Sequence, residues 1–525
     1  MQALTVLDWL EAQEKRIPEK CAVIDPEGRM TYAALAKYAR CVGRALAKED
    51  VAGGAVAIFA DKTCHTFAAM LGVLYAGAFY SVIDKGHPAP RARAMVETLR
   101  AKVILCDSAS VEQAGERFRD MSVRLIDLTR CMCDNEPQAD SRTDTAKDSR
   151  DEEQNDPLPA IRAALTDSAP MYCNFTSGST GTPKGVLIGH RSVTDFIPVF
   201  TETMGLTEQD VFGNQAPFDF DVSVKDLYST LYLGATVALI PQKFFMNPTA
   251  LTGFLAAHDV SILIWAASAL VVLSVMKGLS LARMERLRRI IYSGEALPKT
   301  HRMHWHEVYP DVTFVNAYGP TEITCNCTYH VLTEEDIPAD DVPVGIAFRN
   351  KKVFLLDDED RLVTESNRQG EICVAGTCLA IGYLGEAGTE AFVRNPVNDL
   401  YEERIYRTGD IGRYDDAHRL FFCGRRDFQI KHMGHRIELF EIERAAESVE
   451  GVARACCLYD EAGTKIVLAE EGVADTGRVR SALKEKLPRY MLPGVIRYVE
   501  HIPLNKNGKA DRAALRRLTG MDEHA

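Results

Sequence analysis

Hydrophobic and polar positions alternate between two patterns along the first part of the chain. Short apolar runs, typical of buried strands, are separated by longer segments in which apolar residues recur at helical spacing. The strand-like runs are AVAIFA (55–60), YSVID (80–84), VILCD (103–107) and RLIDL (124–128), and a helical segment covers 66–78. This alternation predicts βαβ units and largely parallel, covered sheets, so we expect an α/β fold.

A long polar segment, CMCDNEPQADSRTDTAKDSRDEEQNDP, interrupts this pattern at residues 131–157. Such a segment buries too little apolar surface to offset the entropy cost of ordering it, and it is predicted to be a disordered surface insertion. Cys131 and Cys133 inside it are a candidate metal-binding pair, but a solvated loop is the preferred interpretation.

The apolar run VSILIWAASALVVLSVM at 260–276 approaches the length of a membrane span. A span needs roughly 17 to 25 residues, and Ser261, Ser268 and Ser274 interrupt this run. We therefore expect a buried strand, a turn and the start of a core helix, without membrane insertion.

The pattern changes after residue 415. Strand, turn and helix signals over 421–449 are followed by two strand-like runs and a second helix, at 453–460, 464–473 and 476–487. These signals predict a small α+β domain at 427–525, following a large domain at 1–426.

Length and charge narrow the class of protein. A chain of 525 residues is too long for one ordinary core. Its 61 Lys and Arg against 74 Asp and Glu argue against a nucleic-acid binder, which needs clustered positive charge. The 14 cysteines are scattered without zinc-site spacing, and the first residues lack a signal-peptide pattern. We therefore expect reduced thiols and a cytoplasmic location.

The clearest chemical motif is YCNFTSGSTGTPKGV at 172–186, which lies between strand-like segments. Glycines let the backbone turn its N–H groups toward one point, hydroxyls add donors, and a lysine adds positive charge. A flexible linker is the alternative interpretation, but linkers are rarely bracketed by strands. The predicted polyphosphate-binding residues are Thr176, Ser177, Gly178, Ser179, Thr180, Gly181, Thr182 and Lys184.

This loop resembles the signature of the adenylate-forming superfamily, which comprises acyl-CoA synthetases, luciferases and peptide-synthetase adenylation domains. Further motifs of that family follow in the same order. The resemblance implies a large N-terminal domain of layered β-sheets and helices, and a small, mobile α+β C-terminal domain, here called the lid. It also implies ATP and Mg²⁺ as cofactors.

The motif NAYGPTE (316–322) resembles the family segment that contacts the nucleotide and the metal. By this resemblance Tyr318 stacks on adenine, Thr321 contacts phosphate and Glu322 holds Mg²⁺. YSGEAL (292–297) and YRTGD (406–410) resemble the segments around adenine and the ribose hydroxyls. The implied adenine- and ribose-binding residues are Gly294, Glu295, Asn316, Ala317, Tyr318, Gly319, Asp410 and Arg425.

Two later motifs imply a moving lid. In FFCGRRDFQIKHMGHRIE (421–438), Asp427 matches the family's hinge residue and Gly434 a wall of its thiol tunnel. Phe422 stands where the family usually has tyrosine. In PLNKNGKADRAAL (503–515), Lys509 matches the catalytic lysine, although a lysine in a polar turn is ordinarily only solvated.

The segment NQAPFDFDVSVKDLY (214–228) resembles the part of peptide-synthetase adenylation domains that recognises an amino acid. Asp221 matches the aspartate that binds the α-ammonium group, with Asp219 as a rival and a helix N-cap as the alternative role. The implied pocket residues are Val222, Lys225, Val275, Ser293 and Cys325.

The motif string is most similar to D-alanine–D-alanyl carrier protein ligases, which load the phosphopantetheine thiol of a separate carrier protein. A small amino acid, with D-alanine as the lead, is therefore the expected substrate. The alternatives are another amino acid, including an acidic one, an acyl-CoA synthetase, and a non-catalytic nucleotide-binding relative. Lys225 and Ala269 depart from the family pattern.

Lys225 admits two interpretations. In the first, its ammonium enters the pocket and recognises an acidic or polar side chain. In the second, its stem packs on apolar neighbours while the charge reaches water or pairs with Asp221 or Asp226. The outward position is preferred, because long cationic side chains seldom stay buried.

Overall fold

The computed structural model describes residues 4–133, 156–178, 183–385, 391–426, 428–460, 463, 465–472, 475–504 and 510–521. Its α-helices are α1 (Val6–Arg16), α2 (Tyr32–Ala47), α3 (Cys64–Tyr75), α4 (Ala89–Leu99), α5 (Val111–Arg117), α6 (Leu128–Cys133), α7 (Leu158–Ala164), α8 (His190–Thr203), α9 (Val222–Leu233), α10 (Pro248–Ala257), α11 (Ala267–Val275), α12 (Lys299–Val308), α13 (Leu439–Glu447), α14 (Thr476–Lys486) and α15 (Arg512–Leu518).

A nine-stranded sheet forms one layer of the large domain. Its strands are β1 (Cys21–Asp25), β2 (Gly28–Thr31), β9 (Val211–Asn214), β10 (Thr236–Leu239), β11 (Ile262–Ala266), β12 (Arg289–Ser293), β13 (Thr313–Tyr318), β14 (Thr328–Val331) and β15 (Ile346–Ala347). They are ordered β15-β14-β13-β12-β11-β9-β10-β1-β2, and the six from β13 to β1 are parallel. The parallel strands therefore end at one edge of the sheet.

A seven-stranded sheet forms the second layer. Its strands are β3 (Ala55–Phe59), β4 (Phe79–Val82), β5 (Val103–Cys106), β6 (Arg124–Asp127), β7 (Pro170–Thr176), β8 (Lys184–Gly189) and β19 (Gly382–Tyr383), in the order β19-β8-β7-β4-β3-β5-β6. Pairing of β3 with β4 and β5, and of β5 with β6, is parallel, which confirms the prediction from the alternating pattern.

Helix α3 lies in the core that the two sheets share, and nearly all of its residues are buried. This explains why the segment 66–78 is apolar on every side rather than on one face. The hydroxyl groups of Tyr80 in β4 and Tyr228 in α9 lie 2.7 Å apart. Their hydrogen bond joins the seven-stranded layer to the helix that starts at the predicted amino-acid site.

A third sheet is antiparallel and has six strands. They are β16 (Lys352–Leu356), β17 (Leu362–Val363), β18 (Gln369–Ala375), β20 (Phe392–Arg394), β21 (Arg404–Tyr414) and β22 (Leu420–Arg425). Asp410 of β21 and Arg425 of β22 are register partners, so these two predicted nucleotide-binding residues lie side by side.

The C-terminal part builds its own sheets and core. Its strands are β23 (Gln429–His432), β24 (His435–Glu438), β25 (Val452–Asp460), β26 (Lys465–Gly472) and β27 (Val495–Val499). The last three form one sheet against which α13 and α14 bury Ile442, Val479 and Leu483. The α+β composition predicted for this part is confirmed, while the boundary between residues 426 and 427 stays a prediction.

The predicted bounds of the polar insertion, 131–157, are wrong at both ends. Cys131 belongs to α6 and is buried in the main core, so it does not lie in a solvated loop. Asp156 forms a 2.8 Å ion pair with Arg44 of α2. Burial at one end and an ion pair at the other order these residues, and the rest, 134–155, lies outside the described residues.

The apolar run at 260–276 forms β11 and α11, as predicted, although the strand passes into the helix without a separate turn. Every residue of β11 is buried. Within the described ranges, no helix combines the length and apolar composition needed to cross a bilayer.

Deleting residues 134–155 should leave the midpoint of thermal unfolding nearly unchanged. Helices α6 and α7, which flank the segment, both pack on α2, so a short linker can join them. Calorimetry of the deletion variant beside the full chain measures this. A fall in the midpoint of roughly 5 °C or more would mean that the segment packs on the fold.

Candidate active site

Eleven of the predicted site residues line a cavity at the carboxyl ends of parallel strands in the nine-stranded sheet. The wall from the large domain includes Phe220, Asp221, Val222, Lys225, Ala266, Ser293, Gly294, Gly319, Pro320, Thr321, Cys325, Asn326, Asp410 and Arg425. The hairpin of β23 and β24 closes the other side with Gln429, Lys431, Gly434 and Arg436. The cavity therefore lies between the large domain and the lid, where such sheets bind ligands.

Asp221 lines one end of the cavity and directly precedes α9. It stands at the N-cap position, but its side chain makes no capping hydrogen bond, so the helix does not use the carboxylate. Burial raises the pKa of Asp221 above its ordinary value, and the Lys225 charge and a hydrogen bond from Thr321 oppose this only in part. A cation bound beside Asp221 would offset the remaining cost of burying its negative charge.

The rival residue Asp219 does not line the cavity. Its carboxylate points toward His87, with Oδ2 3.8 Å from Nε2 of the imidazole. Burial raises the pKa of Asp219 to about 7. The geometry therefore separates the two aspartates of the motif and favours Asp221.

The preferred outward position of Lys225 is wrong, because its side chain is fully buried and lines the cavity. Its Nζ donates hydrogen bonds to Oδ1 of Asn326 at 2.6 Å and to Oγ of Ser293 at 3.4 Å. These neutral acceptors hold the ammonium inside the protein. In the predicted outward position the stem would have packed on apolar neighbours and the ammonium would have reached water.

The Lys225 ammonium is not balanced by an anion in direct contact. Burial lowers its pKa below the ordinary value, while Cys325, Asp221 and Asp226 favour the charged form from farther away. Among the described residues, no carboxylate forms an ion pair with it; Asp226 instead accepts a hydrogen bond from Asn214 at 2.8 Å. The cavity thus has an anionic group at one position and a cationic group one helical turn away.

Tyr318, Asp410 and Arg425, predicted to bind adenine and ribose, form one buried hydrogen-bonded group. The Tyr318 hydroxyl donates to Oδ2 of Asp410, and Arg425 donates to Oδ1 of the same carboxylate. Burial, followed by the Asp410 charge, raises the pKa of Tyr318 well above its ordinary value. The Nζ of Lys431 lies 5.6 Å from the centre of the tyrosine ring.

Glu322, the predicted metal ligand, is buried against the lid. Nη1 of Arg436 lies 2.9 and 3.1 Å from its two carboxylate oxygens, and the Tyr383 hydroxyl donates to Oε1 at 2.7 Å. Although burial opposes it, the charge of Arg436 and this hydrogen bond hold the pKa of Glu322 below its ordinary value. A carboxylate suits Mg²⁺ in ligand type, but in this lid position Arg436 neutralises the same oxygens.

The described part of the predicted phosphate loop contacts the lid. Ser177 Oγ donates to the backbone oxygen of Arg436 at 2.9 Å and accepts from the backbone N–H of Glu438 at 3.0 Å. Lys184, which pairs with Thr176 in the β-hairpin, has its Nζ 5.9 Å from the centre of the Tyr383 ring. The predicted residues Ser179, Thr180, Gly181 and Thr182 lie outside the described residues.

Gly434 touches the wall of the large domain. It has φ +79°, and a Cβ at this position would lie 3.1 Å from Cβ of Ala266. Its backbone N–H donates to Oε1 of Glu295 at 3.0 Å, which ties the lid hairpin to the predicted adenine segment. Both the conformation and the close approach favour glycine here.

Not every predicted residue reaches the cavity. Val275 is 64% exposed near the C-terminal end of α11, so its predicted place in the pocket wall is wrong. Asn316 donates to the Pro343 carbonyl oxygen at 2.9 Å, and Ala317 is buried beside it in β13. Lys509 and Asp427 lie outside the described residues.

Asn326 and Arg436 were not predicted from the sequence. Asn326 follows the predicted pocket residue Cys325, and Arg436 lies in the predicted hinge motif, so their positions in the motifs were a usable signal. Their partners, Lys225 and Glu322, are far away along the chain. The Lys225–Asn326 contact depends on how α9 packs, and the Arg436–Glu322 contact depends on how the lid packs on the large domain.

Comparison with known proteins agrees with this geometry. Residues 10–384 match the AMP-binding enzyme family. The chain is 32% identical over 480 residues to an L-proline–[L-prolyl-carrier protein] ligase of Streptomyces coelicolor, covering 90% of this chain and 87% of that protein. It is 30% identical over 528 residues to bacitracin synthase 1 of Bacillus licheniformis, covering 97% of this chain but only 9% of that much longer protein.

A solved structure of an NRPS protein containing adenylation and PCP domains, bound to a vinylsulfonamide inhibitor, superposes with a TM-score of 0.80. It is 26% identical in sequence, and the match covers 98% of this chain and 84% of that one. The mixed α/β architecture, the cavity between two domains and the family match over most of the chain agree. This chain belongs to the AMP-binding enzyme family.

Proposed function

We propose that this chain is an ATP-dependent, AMP-forming ligase that activates an amino acid with a carboxylate side chain. The activated acyl group then passes to the phosphopantetheine thiol of a carrier protein. Membership of the AMP-binding family supports the use of ATP, and the similarity to a prolyl-carrier protein ligase supports an amino acid and a carrier. The side chain is inferred from this chain's own cavity.

The buried ammonium of Lys225 carries the inference about the substrate. Its Nζ donates hydrogen bonds to two neutral oxygens, and it donates none to a carboxylate of the described residues. Burying a cation without an anion is costly, and pairing it with a ligand carboxylate recovers much of that cost. Asp221 binds the α-ammonium group of the substrate, and Lys225 binds its side-chain carboxylate.

A small or apolar amino acid fits this charge pattern poorly. Alanine, glycine and proline would occupy the cavity and leave the Lys225 ammonium shielded from water without an anion. Like every amino acid they would bring an α-ammonium group, but without a side-chain carboxylate to offset that added positive charge. D-alanine is therefore not the substrate that we propose, and aspartate or glutamate takes its place.

The reaction has two steps. First, an oxygen of the α-carboxylate of the amino acid attacks the α-phosphorus of ATP. A P–O bond forms, and the bond between the α-phosphorus and pyrophosphate breaks. Then the carrier's thiol sulfur attacks the acyl carbon; a C–S bond forms, the C–O bond to AMP breaks and the thiol proton is lost. Lys509, by its motif, stabilises the negative charge that grows in the first step by roughly 3–4 kcal/mol.

Glu322 would hold Mg²⁺, which would neutralise phosphate charge during the first step. Because Arg436 occupies both oxygens of that carboxylate here, Mg²⁺ and Arg436 are alternative partners of Glu322. The lid position with Arg436 on Glu322 and Gly434 at the cavity therefore suits the second step. The first step requires the lid hairpin to withdraw.

Substituting Lys225 by methionine tests the inferred substrate. Lys225→Met should lower kcat/KM for aspartate or glutamate relative to asparagine or glutamine by about ten- to a hundredfold, because it removes a charged hydrogen bond. ATP-pyrophosphate exchange with each amino acid gives these ratios, and the size-matched amide is the internal control. KM for ATP should stay unchanged.

An unchanged ratio of acid to amide in Lys225→Met would contradict the assignment. In that case Lys225 would be a structural residue and the substrate would be recognised elsewhere in the cavity.

A further inference from the structure

A second buried lysine lies behind the wall of the cavity. Lys351 is 6% exposed and immediately precedes β16. Its Nζ donates hydrogen bonds to the backbone oxygens of Ile323 at 3.1 Å, Thr324 at 3.1 Å and Asn326 at 2.6 Å. All three protons of the ammonium are thus directed at one short segment of the chain.

This segment has an unfavourable backbone conformation. Thr324 has φ +57° and Cys325 φ +70°, in the left-handed region that residues with a Cβ seldom adopt. The turn directs backbone oxygens into the protein interior, where each needs a hydrogen-bond donor. Lys351 supplies the donors, and the Thr324 hydroxyl adds a bond to the Cys378 carbonyl oxygen at 2.8 Å.

The other face of the same segment forms part of the cavity. Asn326 accepts the hydrogen bond from Lys225 through its side-chain oxygen, at 2.6 Å. The Cys325 thiol donates to the backbone oxygen of Asp221 at 3.1 Å. One turn therefore contacts both residues that we assign to substrate binding, and Lys351 holds that turn from behind.

We propose that Lys351 is a positioning residue that sets selectivity for the substrate's side chain by fixing Asn326 against Lys225. The inference rests on the proposed function, since it concerns the same cavity. Fixing Asn326 directs the remaining proton of the Lys225 ammonium toward the substrate. If the turn relaxes, the acceptor moves and the ammonium loses its orientation.

Two further contacts explain why a lysine suits this position. Its Nζ lies 3.9 Å from the centre of the Phe196 ring, a cation–π contact that favours the charged form. Backbone oxygens accept stronger hydrogen bonds from a charged donor than from a neutral one. Phe196 also packs on Phe348 at a ring-centre distance of 5.6 Å, so the ammonium rests on an aromatic cluster of the core.

Replacing Lys351 by methionine should lower the ratio of kcat/KM for the acidic amino acid to that for its amide by about five- to tenfold. KM for ATP should stay unchanged. Lys352→Met is the matched control, because the neighbouring Lys352 is exposed and forms a 3.0 Å ion pair with Glu403 on the surface. The control should keep the wild-type ratio.

The ratio distinguishes positioning from general stability. A destabilised enzyme loses active molecules, which lowers activity with the acid and the amide equally and leaves their ratio intact. If Lys351→Met lowers both activities equally, the proposal is overturned. If this variant does not yield folded protein, Lys351→Gln, which retains a short neutral donor, is measured in the same way and should give a smaller fall.

A double-mutant cycle separates this inference from the proposed function. In a Lys225→Met background, Lys351→Met should produce no further change in the ratio, because it acts through Lys225. A further fall of the same size would overturn the positioning role while leaving the substrate assignment intact. An unchanged ratio in Lys225→Met alone would instead refute the acidic substrate of the proposed function.

Discussion

Asp221→Ala should abolish amino-acid-dependent ATP-pyrophosphate exchange while ATP binding remains nearly normal. The carboxylate lines the cavity, caps no helix and lacks a full counter-charge, which fits the partner of a substrate α-ammonium. Losing one partner of a buried ion pair costs roughly 3–5 kcal/mol, which is a factor of hundreds to thousands in binding. Exchange kinetics and nucleotide titration of the same preparation measure both effects.

Asp219→Asn is the matched control, because this aspartate belongs to the same motif but faces His87. The control should retain exchange activity and its KM for the amino acid. Normal turnover of an amino acid by Asp221→Ala would refute the assignment. Loss of activity in Asp219→Asn alone would move the recognition role to the rival position.

Lys509→Ala should slow adenylate formation by about a hundred- to a thousandfold. A positioned ammonium stabilises charge that develops only in the first step. The lid position with Gly434 at the cavity is the one that we propose for the second step. The variant, given preformed acyl-adenylate, should therefore still acylate a phosphopantetheinylated carrier. Quenched-flow assays of the two half-reactions measure the difference.

Lys506→Ala, in the same PLNKNGK motif, is the control for loss of positive charge in this part of the sequence and should keep both half-reactions. An equal fall of both half-reactions in Lys509→Ala would contradict a lid that serves the two steps in different positions.

Local patterns predicted the architecture because they report burial. The runs at 55–60 and 103–107 form adjacent parallel strands, and the described parts of the phosphate motif include the paired ends of β7 and β8. The carboxyl ends of β11 and β12 meet at one edge of the sheet, so Ala266 and Ser293 both line the cavity. Ser293 was predicted through the resemblance of the pocket segment, whereas Ala266 at the end of the neighbouring strand was not predicted.

Contacts between distant segments were not predictable. The Lys225 ammonium was expected to reach the surface, because long cationic side chains generally do. Instead, Asn326 and Ser293 accept its hydrogen bonds inside the protein. Val275 belongs to the same apolar run as its buried neighbours, yet it lies on the exposed face of α11. A residue's own segment does not encode which side of it another segment will cover.

The most direct test of the central claim is ATP-pyrophosphate exchange by the full chain with a panel of single amino acids. We expect aspartate or glutamate to give the highest kcat/KM, exceeding asparagine, glutamine, D-alanine, glycine and proline by about tenfold or more. Higher kcat/KM with D-alanine, glycine or proline than with both acidic amino acids would contradict the claim.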